Sequence, residues 1–141
     1  MQTKSEDISW PLGQTIVDAT VTGPAEPGSH PGVVFVAGSG PTDRNWETPL
    51  LPGSNGSARL LAERLASSGY TTIRYDKRFS GARATQNLPL MTGASLEGHF
   101  DELAGAVATL RQRADVNPDR IFALTSSEGA IHVLYYQTTP T

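Results

Sequence analysis

A chain of 141 residues is long enough for one domain with a real core and leaves little room for a second. Eleven Lys plus Arg against fourteen Asp plus Glu give a net charge of −3, without the clustered basic excess that would hold nucleic-acid phosphates. There is no cysteine, which excludes disulfides and thiolate metal sites, and no apolar run approaches the length of a membrane span.

Met1 to Trp10 is polar and acidic where a secretory leader would be basic and then apolar, which favours a cytoplasmic location. Thr15, Val17, Ala19 and Val21 alternate with Ile16, Asp18, Thr20 and Thr22. That period of two predicts a strand of an antiparallel edge hairpin, with its partner among residues 5–12. A Pro/Gly-rich connection runs from Gly23 to Gly32 and holds His30. Val33 to Ala37 is an unbroken apolar run, the pattern of a parallel strand covered on both faces.

From Ser57 to Ser68, Ala58, Leu61, Leu65 and the neighbouring Leu60 predict the buried stripe of a helix, opposite Arg59, Glu63 and Arg64, with Gly69 as its left-handed end. Thr71 to Tyr75 is β-branched and aromatic, the composition of a further strand. Ser95 is placed to cap a helix in which Phe100, Leu103, Val107, Leu110 and Ala114 recur at spacings of three and four, with Asp101 and Glu102 on its solvated face. Asn117-Pro118-Asp119 breaks that pattern. Ile121 to Leu124 then predict another short buried strand, and Gly129 to Tyr136 a helix with Ile131, Leu134 and Tyr135 inward. Strand alternating with helix specifies an α/β fold, a three-layer sandwich with a mostly parallel sheet and an antiparallel N-terminal hairpin. Residues 1–32 form the hairpin and connection, and residues 33–141 the parallel units of the same domain.

Open α/β sheets collect ligands at the carboxyl ends of their strands. The loop after the first parallel strand, Gly38-Ser39-Gly40-Pro41-Thr42-Asp43-Arg44, has two glycines that let backbone amides face a cleft. The loop after the last strand, Thr125-Ser126-Ser127-Glu128-Gly129, matches the nucleophile elbow Gly-x-Ser-x-Gly, with Thr125 in place of the first glycine. Small residues are needed at both ends of such an elbow because the backbone bends sharply there. Taken alone, the segment fits equally a serine that caps the last helix. The two loops together favour catalysis: Ser127 as nucleophile, with Glu128 N–H and Ser39 or Gly40 N–H as an oxyanion hole, each donor worth about 3 kcal/mol of transition-state stabilisation.

These residues resemble the α/β-hydrolases, in particular a bacterial branch of serine esterases and acyl hydrolases whose oxyanion loop reads Gly-Ser-Gly-Pro-x-Asp-Arg, here Gly38 to Arg44. The likeness extends to Tyr75-Asp76-Lys77-Arg78, to Asn117-Pro118-Asp119-Arg120-Ile121 and to Ser127-Glu128-Gly129, and so covers most of the chain from Val33 onward. The chain departs from the branch at Phe79-Ser80-Gly81, where Gly-x-Gly is usual, and at Thr125. The resemblance implies hydrolysis of a small-molecule carboxylic ester or related acyl bond through an acyl-enzyme. It also implies the order serine, then Asp or Glu, then histidine.

A serine hydroxyl needs an oriented base within hydrogen-bond reach. His30 and His99 precede the elbow, and His132 follows it on the same helix but on a different face, so none matches the late histidine that the resemblance implies. The acid and the histidine are therefore expected beyond Thr141 or on a second chain, and the 141 residues alone are expected to be inactive. Asp43 and Arg44 are expected to pair across the oxyanion loop and hold its amides, and Asp76, Lys77 and Arg78 to form a structural ion-pair network. Trp10 reads as packing and Trp46 as the aromatic nearer a pocket. No metal or organic cofactor is implied, since the three histidines have no ligand spacing and Gly-x-Gly-x-x-Gly is absent from the strand-to-helix turns. A non-catalytic anion-binding module and an interaction fragment remain the alternative readings of the same loops.

Overall fold

The computed structural model describes residues 1–139; Pro140 and Thr141, the last residues of the expected 33–141 unit, lie outside them. In chain order the elements are β1 (Thr3–Leu12), β2 (Thr15–Pro24), β3 (His30–Val36), α1 (Ser57–Ser67), β4 (Thr71–Tyr75), α2 (Ala84–Asn87), α3 (Leu96–Arg111), β5 (Val116–Thr125) and α4 (Gly129–Thr138). Short 3-10 turns flank α2 at Gly81–Arg83 and Leu88–Gly93. The strands form one sheet in the order β1-β2-β4-β3-β5. β1 with β2 and β2 with β4 are antiparallel, whereas β3 pairs in parallel with both β4 and β5.

The expected hairpin is present, closed at Gly13, whose φ of 58° is the left-handed conformation glycine adopts without strain. The alternation in β2 holds only for its first half. From Ala19 onward the strand is buried on both faces, because α1 packs over the side that the pattern assigns to solvent. β3 begins at His30, so that residue opens a strand and does not lie in the connection.

Alternate residues of β3 divide the core into two layers. Val34 and Val36 face α3 and α4 and pack with Val17, Ala19, Val21, Ile73, Leu103, Val107 and Leu110. Val33 and Phe35 face α1 and pack with Ala58 and Ala62. With α1 on one face and α3 and α4 on the other, the three-layer sandwich is realised. Burying a Val, Leu or Phe side chain in such layers contributes roughly 1.5–3 kcal/mol.

Several faces differ from those the hydrophobic pattern predicts. Helix α1 buries Ala58, Ala62 and Ala66, while Leu60 and Leu61 are 53% and 43% exposed. The alanine face lets the helix axis lie close to the sheet, where leucines would hold it off. Helix α3 is capped by Ser95, whose Oγ accepts from the Gly98 amide at 3.1 Å, but it ends at Arg111, so Ala114 lies outside it and is exposed. Glu102 is buried within α3 and not solvated, because its carboxylate accepts from the Arg78 amide at 2.8 Å and meets His99 Nδ1 at 3.0 Å. Helix α4 buries Gly129 and His132, while Ile131 and Leu134 are exposed.

Strand β5 is likewise not covered on both sides. It is the outermost strand, and Phe122 is 52% exposed. The break expected at Asn117-Pro118-Asp119 appears inside β5 as a bulge: Val116 pairs with His30, and the next pair is Ile121 with Gly32.

Candidate functional site

The crossover from β3 to β4 moves one way along the sheet, and that from β4 to β5 returns past β3 to its other side. The chain therefore reverses direction between β3 and β5, and the crevice beyond the carboxyl ends of two such strands is where α/β sheets bind ligands. The loop starting at Gly38 leaves β3 there, and the turn through Ser127 leaves β5 beside it. The two strands end in register at Val36 and Thr125, and the Ser126 amide donates to the Val36 carbonyl at 3.0 Å.

Ser127 has φ of 49°, and only Trp46 shares a positive φ among the non-glycine residues described. A bulky-chain conformation of that kind costs of order 1–3 kcal/mol and persists only where the surroundings impose it. Here they do. Gly129 N–H donates to Ser126 O at 2.9 Å, Ala130 N–H to Ser127 O at 3.1 Å and Ile131 N–H to Glu128 O at 2.9 Å, so a tight first turn follows the serine at once. A Cβ at Gly129 would lie 2.4 Å from the Val36 carbonyl oxygen and 3.0 Å from that of Ala37, so glycine is what lets α4 start against β3. Thr125 ends β5 half-buried. Ser127 is exposed and close to the opposite loop, its Cβ 3.4 Å from where a Cβ on Gly38 would sit. Ser39 and Gly40 are exposed as well. Among the described residues no acceptor takes a hydrogen bond from the Ser39, Gly40 or Glu128 amide.

The glycine loop is braced from within and from β4. Thr42 Oγ1 donates to Ser39 O at 2.9 Å, and the Thr42 amide to Gly40 O at 2.8 Å. Asp43 and Arg44 do not pair with each other. The Asp43 carboxylate accepts from the Asn45 and Glu47 amides at 2.8 and 3.1 Å, because a short acidic side chain reaches its own backbone first. Arg44 binds Asp76 instead, with its amide at 2.8 Å, Nε at 3.3 Å and Nη2 at 2.8 Å, and sends Nη1 to Thr20 at 3.0 Å. Gly81 permits this: its φ is 68°, and a Cβ there would fall 2.2 Å from Asp76 Oδ2.

Lys77, which the sequence placed only in an ion-pair run, is buried and donates from Nζ to the Gly38 carbonyl. Burial holds its amine below the ordinary lysine range, against the pull of Glu128 and Glu102. The only sequence signal for it is the position of Asp-Lys-Arg at a strand end facing the loop.

The histidines separate. His30 lies at the opposite end of β3, where its Nε2 meets Glu26 O at 3.1 Å. His99 and His132 stack with centroids 4.8 Å apart, and His132 Nε2 stands 3.8 Å from Glu128 Oε2. Burial, reinforced by His99 and Lys77, keeps the His132 imidazole below its usual value. A cleft of about 380 Å³ opens next to the glycine loop, lined by Gly40, Pro41, Lys77, Phe79, Met91 and His99. Trp46 lies elsewhere: it tilts against Phe35 at 5.7 Å and lines a separate cleft of about 220 Å³. Trp10 packs on the core, as its sequence position suggests.

This arrangement of strands recurs in solved structures. The chain aligns with a dienelactone hydrolase-like promiscuous phosphotriesterase from metagenomic libraries with a TM-score of 0.66 at 18% identity, over 95% of this chain and 53% of that one. It aligns with the dienelactone hydrolase of Anabaena variabilis with a TM-score of 0.64 at 20% identity, over 96% of this chain and 57% of that one. The α/β hydrolase GrgF of Penicillium sp. sh18 gives a TM-score of 0.64 at 16% identity, over 96% of this chain and 41% of that one. The chain has the α/β-hydrolase fold. It spans about half the length of the dienelactone hydrolase-like structures it matches. No family model matches the sequence, and no curated protein does. No helix among the described residues of this α/β-hydrolase fold is long and apolar enough to cross a membrane.

Proposed function

We propose that the protein is a serine hydrolase that cleaves carboxylic esters or related acyl bonds in small molecules through an acyl-enzyme on Ser127. The observation that carries the reading is the left-handed Ser127, exposed on a tight strand-to-helix turn against Gly38. In this reading Ser127 Oγ attacks the acyl carbonyl carbon, and its proton passes to an imidazole. The Ser39 or Gly40 amide and the Glu128 amide donate to the oxygen that becomes negative. Collapse of the tetrahedral adduct expels the alcohol, which takes the proton from the imidazole, and water then releases the acid by the same route in reverse.

The acid and the histidine come from residues beyond Thr141 or from a second chain. His30 is at the wrong end of the sheet, and His99 and His132 are engaged with each other and with Glu102 and Glu128. The cleft beside Gly40 is where the acyl group would lie.

A fluorophosphonate probe tests this on the completed protein. Ser127 is expected to be the labelled residue, and Ser127→Ala to lower turnover by about 10⁴-fold or more. Labelling that persists in Ser127→Ala, or no labelling at all, would refute the assignment.

A further inference from the structure

Gly38 C=O and Ser39 N–H belong to one peptide unit. The unit is planar and trans, so the oxygen and the hydrogen point in opposite directions. A group that grips the oxygen therefore aims the hydrogen. Lys77, on β4's carboxyl end, is that group: its ammonium donates to Gly38 O from a buried position on the wall of the cleft that Gly40 also lines. The other end of the loop is held separately, by Arg44 on Asp76.

We propose that Lys77 is a positioning residue for the oxyanion hole, which orients and polarises the Gly38–Ser39 peptide so that Ser39 N–H becomes the stronger donor to the developing oxyanion. The inference rests on the hydrolase reading and selects Ser39 over Gly40 as the loop's principal donor. Its physical basis is the cooperativity of hydrogen-bonded chains: a peptide oxygen that accepts from a charged donor withdraws electron density from its own N–H, and burial leaves little water to screen the effect. The gain is largest when the partner of Ser39 N–H carries negative charge, which is the case in the tetrahedral adduct and not in the bound ester. The titratable groups that act on Lys77 are Glu128 before α4, Glu102 of α3 and His132 of α4; burial disfavours the charged amine, and the two carboxylates oppose that effect.

Lys77→Met keeps the stem of the side chain and removes the charge. In the completed enzyme it is expected to lower kcat by about 10- to 100-fold, less than the 10²–10³-fold for outright removal of an oxyanion donor, with KM within about twofold. Lys77→Arg is expected to recover part of the loss, and affinity for a boronic acid, which mimics the tetrahedral adduct, should fall in parallel with kcat. A second measurement needs no substitution. In the unaltered protein the Gly38 carbonyl carbon and the Ser39 amide nitrogen, followed by carbon-detected NMR as pH is raised, should both shift upfield along the titration of the Lys77 amine. Resonances of this peptide unit indifferent to that titration would overturn the inference. So would an unchanged kcat in Lys77→Met with Ser127 still labelled by the probe, whereas an unaltered protein that takes no label would remove the hydrolase reading itself.

Discussion

Gly129 carries a constraint that owes nothing to conformational freedom, for its φ is negative and any residue type could adopt it. What excludes a side chain is the Val36 carbonyl oxygen, 2.4 Å from where a Cβ would be, which is backbone and cannot swing away. Gly129→Ala is therefore expected to destabilise the fold by about 2 kcal/mol, within the usual range for forced overpacking. A urea midpoint in the range of ordinary surface substitutions would show that α4 can shift off β3 without cost. The two ends of the turn differ: Thr125 is the half-buried last residue of a strand, whereas Gly129 lies under the neighbouring strand's carbonyls.

Among the elements, α1 shows how a helix can hide its smallest side chains. Ala62→Leu should cost about 1–3 kcal/mol, because the new atoms would meet Val33 and Phe35. Leu61→Ala, at a position that is 43% exposed, should stay within about 0.5 kcal/mol. Chemical unfolding of the two variants checks the order, which is the reverse of what hydrophobicity alone assigns.

That reversal also marks what the sequence could convey. The cores of β2, β3 and β4 and the second half of β5 were legible from alternation, unbroken apolar runs and β-branched residues, whereas β1 was located only as a hairpin partner; the candidate-site loops were legible because they follow those strands. The buried faces of α1 and α4 were not, since apolar content says nothing of how closely a helix approaches a sheet or of whether the strand beneath it is outermost. Glu102 was missed for a related reason: one of its partners, Arg78 N–H, comes from a loop without periodicity, and the other, His99, is one turn away on its own helix. The left-handed backbone of Ser127 has no signature in residue type, and the three-dimensional turn alone reveals it.

At the scale of the molecule, the sheet ends abruptly at β5. Among the described residues no strand pairs with its outer edge, and the exposed Phe122 lines a groove of about 250 Å³ that reaches Val34 and Val107. An unpaired apolar edge recruits other chains. The 141-residue chain by itself is expected to self-associate, and Phe122→Lys to shift gel filtration towards the monomer. A monomer that elutes sharply without the substitution would show that the edge is protected.

The pairing of β3 with β5 from Gly32/Ile121 to Val36/Thr125 has a metrical consequence. Because the glycine loop and the serine turn both hang from this ladder, their gap is fixed by the strand spacing of about 4.8 Å, whatever route the intervening polypeptide takes. A nick near Leu88 would leave that gap unchanged. A slip of the ladder by one residue would move the serine about 3.3 Å along the strand and turn every β5 side chain to the other face.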